Sequence, residues 1–252
     1  MFVETHAHYD DKAFDADREA VLQAVQEAGV EAVINPGCDM LSTETACALA
    51  ERHEFMFFAA GIHPEELENI PEDYLERMRA FAAHPKCVAI GEIGLDYYWD
   101  ATQKDLQREL FERQLRLALE LDLPVIIHDR EAHGDCLEIV RRYPTLRGVF
   151  HCYSGSAEMA RDLLRAGWYL GFDGPVTYKN ARKALEVLEI TPPDWILIET
   201  DSPYMSPVPV RGRRNDSRNL LYIAEKIAGA KEMSPEEIGR ITGENARRLF
   251  GI

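Results

Sequence analysis

A chain of 252 residues, with 46% hydrophobic and 29% charged side chains and no low-complexity tract, is built to fold around a core and excludes long disorder. Its net charge of −16 argues against a dedicated non-specific nucleic-acid binder, because that binding comes from many Lys and Arg contacts to phosphate. No basic n-region or long apolar run opens the sequence, and the cysteines (Cys38, Cys47, Cys87, Cys136 and Cys152) are scattered without a C-x-x-C pair, so a cytoplasmic protein with reduced thiols, no membrane association and no obligate protein partner is expected.

Short apolar, β-rich runs are predicted as strands at residues 2–5, 31–35, 55–61, 88–91, 124–128, 148–151, 168–172 and 195–199. Helical periodicity lies between them at residues 17–27, 43–52, 72–82, 102–120, 156–165 and 181–189. This alternation of strand and helix predicts right-handed βαβ units, and eight of them predict an α/β fold closed as a (β/α)8 TIM barrel. The Pro-rich stretch 202–209 reads as the loop after the last strand, and helices are expected at 218–227, 235–240 and 244–250. No linker divides the chain, so one barrel domain spanning residues 1–252 is expected, a length that suits this fold.

His6 and His8 stand two apart at the end of the first predicted strand, so an extended segment projects both imidazoles from one face. Taken alone they are either a metal pair or two surface histidines. Four further residues decide the reading, because Glu92, His128, His151 and Asp201 each close or follow a predicted strand. The C-terminal strand ends of a barrel form the face where active sites are built from distant parts of the sequence. Four imidazoles and two carboxylates suffice for two divalent ions, with Glu92 able to bridge them. Such a donor set suits Zn, Mn, Fe or Co and serves Mg less well.

A divalent ion lowers the pKa of water it holds to about 7, producing a nucleophile at neutral pH. Asp201 is the candidate to take the proton as general base. Glu199, two residues earlier, either holds a ligand histidine in place or pairs with a basic residue inside the barrel mouth. Two divalent cations bring four positive charges against the two carboxylates, so the loaded centre attracts anions within an acidic protein.

These residues fall in motifs: Thr5-His6-Ala7-His8, Gly91-Glu92-Ile93-Gly94-Leu95-Asp96-Tyr97, His128-Asp129-Arg130, His151-Cys152-Tyr153-Ser154-Gly155 and Glu199-Thr200-Asp201-Ser202-Pro203. With the terminal run from Thr242 to Phe250, they cover nearly the whole chain and resemble the TatD family of metal-dependent hydrolases, within the amidohydrolase-like barrels. The resemblance implies one metal on His6, His8, Glu92 and Asp201 and the other on Glu92, His128 and His151. It also implies a deoxyribonuclease, often a 3′ to 5′ exonuclease, with DNA as substrate; some relatives are thought to deacylate D-aminoacyl-tRNA. One departure is Glu4, where the family usually carries Asp.

His63 corresponds to the family's histidine near the metals and is expected to contact a phosphate oxygen or to serve as a turn residue. Arg130, two residues past His128, either pairs bidentately with phosphate or with a carboxylate in its loop. Arg211 opens the densest positive cluster, 211–215, which is either a backbone contact or a solvated loop. Tyr97, Tyr98, Trp99 and Tyr153 follow candidate ligands and are either packing residues or stacking faces for single-stranded bases. His53, His84 and His133 are expected outside the site, and Cys152 is expected to point away from it. Three functions remain in view: a DNA phosphodiesterase, a metal-dependent deacylase or other amidohydrolase, and a non-catalytic metal-binding protein. Many amidohydrolases bridge their metals with a modified lysine; Glu92 stands in that place with no Lys beside it, which weakens the small-amide version.

Overall fold

In a computed structural model that describes residues 2–68 and 70–252, the eight apolar runs form eight strands. They are β1 (Phe2–Glu4), β2 (Val30–Pro36), β3 (Met56–Ala60), β4 (Cys87–Asp96), β5 (Val125–Arg130), β6 (Gly148–Phe150), β7 (Tyr169–Phe172) and β8 (Ile196–Ile198). Each pairs in parallel with the next, in sequence order, as successive βαβ crossovers require. The intervening helices are α1 (Arg18–Glu27), α2 (Met40–Arg52), α3 (Tyr74–Ala82), α4 (Lys104–Leu121), α5 (His133–Val140), α6 (Ala157–Arg165) and α7 (Arg182–Ile190), and α8 (Leu220–Lys231) and α9 (Pro235–Phe250) complete the ring. The architecture is the expected (β/α)8 barrel, and no described helix is long and apolar enough to cross a membrane.

Strand alternation divides the core in two. Residues such as Ile90, Val125, Ile127, Phe150 and Ile198 pack outward against the helices, while Val3, Ile34, Ala59, Ile126, Val149 and Leu197 form a separate inner cluster. Ala246, Leu249 and Phe250 of α9 join that inner cluster. Two residues beyond Ile126, Val149 and Leu197, the same strand faces carry His128, His151 and Glu199, so the period of two that fills the barrel also aims the site.

Four elements differ from the sequence expectation. β4 runs on to Asp96 and β5 to Arg130, so Glu92 and His128 lie within strands rather than at their ends. α5 is absent from the sequence reading because His133-Gly134 at its start looks like a loop and its N-cap Ala132 makes no side-chain cap. The two expected terminal helices are one, α9, closed by a Ser234–Glu237 capping box and by Gly251 at φ 73°. Thr242 and Gly243 look like a break. Inside the helix the Thr242 hydroxyl donates to the Ile238 carbonyl, and a Cβ on Gly243 would meet only the Arg247 side chain at 3.0 Å and Val3 at an ordinary contact distance of 3.6 Å.

The barrel closes beyond the ends of β1 and β8. The Thr5 hydroxyl donates to Ile198 O at 3.1 Å, Asp201 N donates to His6 O at 2.9 Å, His8 N donates to Ser202 O at 2.7 Å, and Ala7 bridges Ser202. Glu4 fastens the same seam, accepting from His6 N at 3.2 Å, from Thr200 N at 2.9 Å and from the Thr200 hydroxyl at 2.6 Å. Burial, opposed by the Thr200 hydroxyl, pushes the Glu4 carboxyl up to about 7.

Candidate metal centre

Glu92 sits where the β4–β5 register shifts between Ile90 and Ile93, a bulge that turns its side chain into the barrel mouth. Glycines make room for the turn. A Cβ on Gly94, at φ 151°, would stand 1.9 Å from His128 O, and one on Gly61 would stand 2.5 Å from the Gly91 carbonyl carbon. Only residues without a side chain let β3, β4 and β5 crowd this closely.

The two oxygens of Glu92 divide the cluster. Oε2 faces His6 Nε2 at 3.1 Å and His8 Nε2 at 3.5 Å, while Oε1 faces His151 Nε2 at 2.7 Å, His128 Nδ1 at 2.8 Å and His63 Nε2 at 3.4 Å. Asp201 Oδ1 completes the first half, 3.6 Å from His8 Nε2 and 3.8 Å from His6 Nε2. All six residues singled out in the sequence therefore converge. The Asp201 side chain keeps 17% of its surface exposed against 4% for Glu92 and 0% for His6, so it is the carboxylate open to incoming water.

Among the described residues, Glu92 and Asp201 find only histidines within ion-pair distance. Burial pushes the Glu92 carboxyl upward, but His151, His6 and His63 together hold it well below the ordinary range. Imidazole nitrogens also crowd each other, with His6 and His8 Nε2 3.1 Å apart and His128 Nδ1 3.2 Å from His151 Nε2. Lone pairs and carboxylate oxygens converging without a basic side chain fit divalent cations, and two groups, His6-His8-Glu92 and Glu92-His128-His151, have the spacing to hold one.

Hydrogen bonds behind the rings set their tautomers. His128 Nε2 lies 3.0 Å from Asp96 Oδ2, so a proton there leaves Nδ1 free to face Glu92. Burial opposes ionisation of Asp96, yet the His128 ring and the Trp99 and Tyr98 amides bring it down to about 2. Sequence reasoning missed Asp96. Its signal was a carboxylate inside the Gly91–Tyr97 motif, but the extension of β4 that carries it to His128 was not legible. His63 Nδ1 accepts from Glu65 N at 3.2 Å, which places the remaining proton on Nε2, the atom facing the cluster. Burial and the neighbouring His128 lower the His63 pKa, so it offers a neutral N–H.

Glu199 lies 3.7 Å from His151 Nδ1, beyond hydrogen-bond reach, and His151 Nδ1 is buried without a partner. Glu199 instead accepts from Cys152 N and from the Thr5 hydroxyl, and Gly171 is the residue that leaves it space. No basic residue pairs with it among the described residues. The Cys152 thiol is pushed well up by burial and by Asp173, which disqualifies it as a nucleophile.

Residues expected at the substrate separate into several roles. Arg130 stacks its guanidinium on Tyr98, 4.0 Å from the ring centroid, and lies 5.4 Å from that of Trp99. Arg211 stacks on Tyr178 at 4.2 Å. The rest of the positive cluster is less available than its sequence suggests, since Arg214 is tied to Asp17 at 2.7 Å and Asn215 is buried, holding Thr200 O and Tyr204 O. Tyr97 and Tyr153 are packing residues bonded to Asp135 and to Ser156 O, whereas Tyr98 and Trp99 are exposed. His53, His84 and His133 engage Glu19, Lys86 N and Asp129, outside the cluster.

Similarity to known proteins agrees with this geometry. The family model for TatD related DNases matches residues 3–251. The uncharacterized metal-dependent hydrolase YabD of Bacillus subtilis is 43% identical over 254 residues, covering 100% of both chains. The 3′-5′ ssDNA/RNA exonuclease TatD of Cronobacter sakazakii is 36% identical, across 94% of this chain and 93% of its own. The crystal structure of YjjV, a TatD homologue from Escherichia coli K12, superposes with a TM-score of 0.94 at 32% identity, covering 100% of this chain and 98% of that one. A barrel with this cluster at its mouth and relatives matched end to end make the chain a member of the TatD family of metal-dependent hydrolases.

Proposed function

We propose that the chain, folded as one domain, is a two-metal phosphodiesterase that cleaves DNA from a 3′ end. The observation that carries the reading is the division of Glu92, with one oxygen toward His6 and His8 and the other toward His128 and His151. His6, His8, Glu92 and Asp201 would hold one divalent ion, and Glu92, His128 and His151 the other. When bound, the ions supply Lewis acidity that polarises a phosphoryl oxygen and acidifies water. Asp201 takes the proton of the attacking water as general base, His63 donates its Nε2–H to a phosphate oxygen, and Glu199 holds the backbone after His151 through Cys152 N. The Cronobacter relative's name supports a nucleic-acid substrate.

The test is a pair of assays on metal-loaded protein, one with 3′-labelled single-stranded DNA and one with a D-aminoacyl-tRNA, each with and without chelator. Chelator-sensitive release of nucleotides from the DNA is the expected result. Deacylation without DNA cleavage would instead favour the acyl-transfer reading, and full cleavage by metal-stripped protein would sink both.

A further inference from the structure

Tyr98 and Trp99 are 56% and 63% exposed, although large aromatic side chains ordinarily bury themselves. They form an edge-to-face pair, with centroids 4.9 Å apart and planes at 84°, and Arg130 packs on the pair from β5. They are also held in place relative to the cluster. Asp96 Oδ1 accepts from Tyr98 N at 2.9 Å and from Trp99 N at 3.0 Å, while its Oδ2 meets His128 Nε2 at 3.0 Å. One carboxylate therefore locks both a candidate ligand and the turn that presents the aromatics. Gln107 reinforces that turn, donating to the carbonyls of Asp96 and Asp100.

Resting on the phosphodiesterase reading, we infer that Trp99 and Tyr98, backed by Arg130, form a stacking shelf for an unpaired nucleobase next to the scissile phosphate. The occupant follows from three features. A nucleobase is a flat π-face that stacks on Trp or Tyr and packs against a guanidinium. The net charge of −16, with Arg214 paired to Asp17, limits how far a strand can be held by its phosphates, so base contacts add affinity that phosphate contacts do not. The link through Asp96 and His128 fixes the shelf's position relative to the bond being cut. In a duplex the base faces are already stacked on one another, so the shelf selects frayed or single-stranded ends.

The experiment compares KM and kcat of metal-loaded wild-type, Trp99→Ala and Trp99→Phe proteins on three DNA substrates of one length. These are a single strand, the same strand made abasic in its last three nucleotides, and a blunt duplex. Trp99→Ala is expected to raise KM on the single strand on the order of ten-fold while kcat moves less than two-fold, and Trp99→Phe to recover most of the loss. On the abasic strand wild-type protein already shows the higher KM, and Trp99→Ala adds less than two-fold. Equal KM for wild-type and Trp99→Ala proteins on the base-bearing strand overturns the shelf alone. So does a Trp99→Ala effect of the same size on the abasic strand or the duplex. Failure of wild-type protein to cleave any of the three overturns the phosphodiesterase reading itself and the shelf with it.

Discussion

Asp96 and Asp201 are both carboxylates beside histidines, yet their surroundings assign them different work. Asp96 is fully occupied, by the His128 ring on one oxygen and two backbone amides on the other. Removing its charge frees His128 to turn, so under the proposed two-metal reading Asp96→Asn should weaken metal retention at His128 by about 10–100-fold in a chelator competition. Asp201 is half-open and lies farther from its histidine neighbours than Glu92 does. Asp201→Asn is therefore expected to lower kcat by at least about 100-fold while metal content by elemental analysis falls much less. Wild-type turnover in that variant would remove Asp201 as the base. His63, with its proton fixed on Nε2, should behave as a third type: His63→Ala is expected to keep the wild-type metal content and to lower kcat.

The convergence of the candidate ligands was legible in the sequence because a period of two places them on one strand face and because their motifs match a family. His128 and His151 follow from Ile126 and Val149 by counting. Glu92 was found by its place after an apolar run, but the bulge that aims it depends on Gly61, Gly91 and Gly94 packing against neighbouring strands, which no local pattern records. The same holds for Asp96, where β4 continues past its apolar run, and for the stacking of Arg130 on Tyr98, which joins side chains from the ends of two different strands. α9 was read as two pieces because Gly243 weakens a helix locally, whereas the packing of Ala246, Leu249 and Phe250 into the inner cluster carries the helix through it. Gly94→Ala tests the bulge directly. The added methyl meets His128 O at a φ of 151°, and a loss of about 3 kcal/mol in urea unfolding is expected, accompanied by lower metal content.

Over the whole molecule, Glu92 and Asp201 are carboxylates held below the ordinary carboxylate range, with histidines as their only side-chain counter-charges among the described residues. Bound divalent cations offset that concentration of acid, so chelation should lower the melting temperature by several degrees, and restoring metal should recover it. An unchanged melting temperature would mean the cluster is stable without cations. The seam that joins β1 to β8 has a consequence in time. His6 and Asp201, 195 positions apart in the sequence, meet through the backbone bond that shuts the barrel, and Ser202 receives His8 beside it. The His6, His8 and Asp201 side of the cluster cannot be assembled until the last strand has been made, whereas Glu92, His128 and His151 all come from β4, β5 and the end of β6. A chain interrupted before its eighth strand lacks Asp201 and the partner that seats His6 and His8, so it is expected to be released without hydrolase activity, which an assay of a chain ending at residue 190 would check.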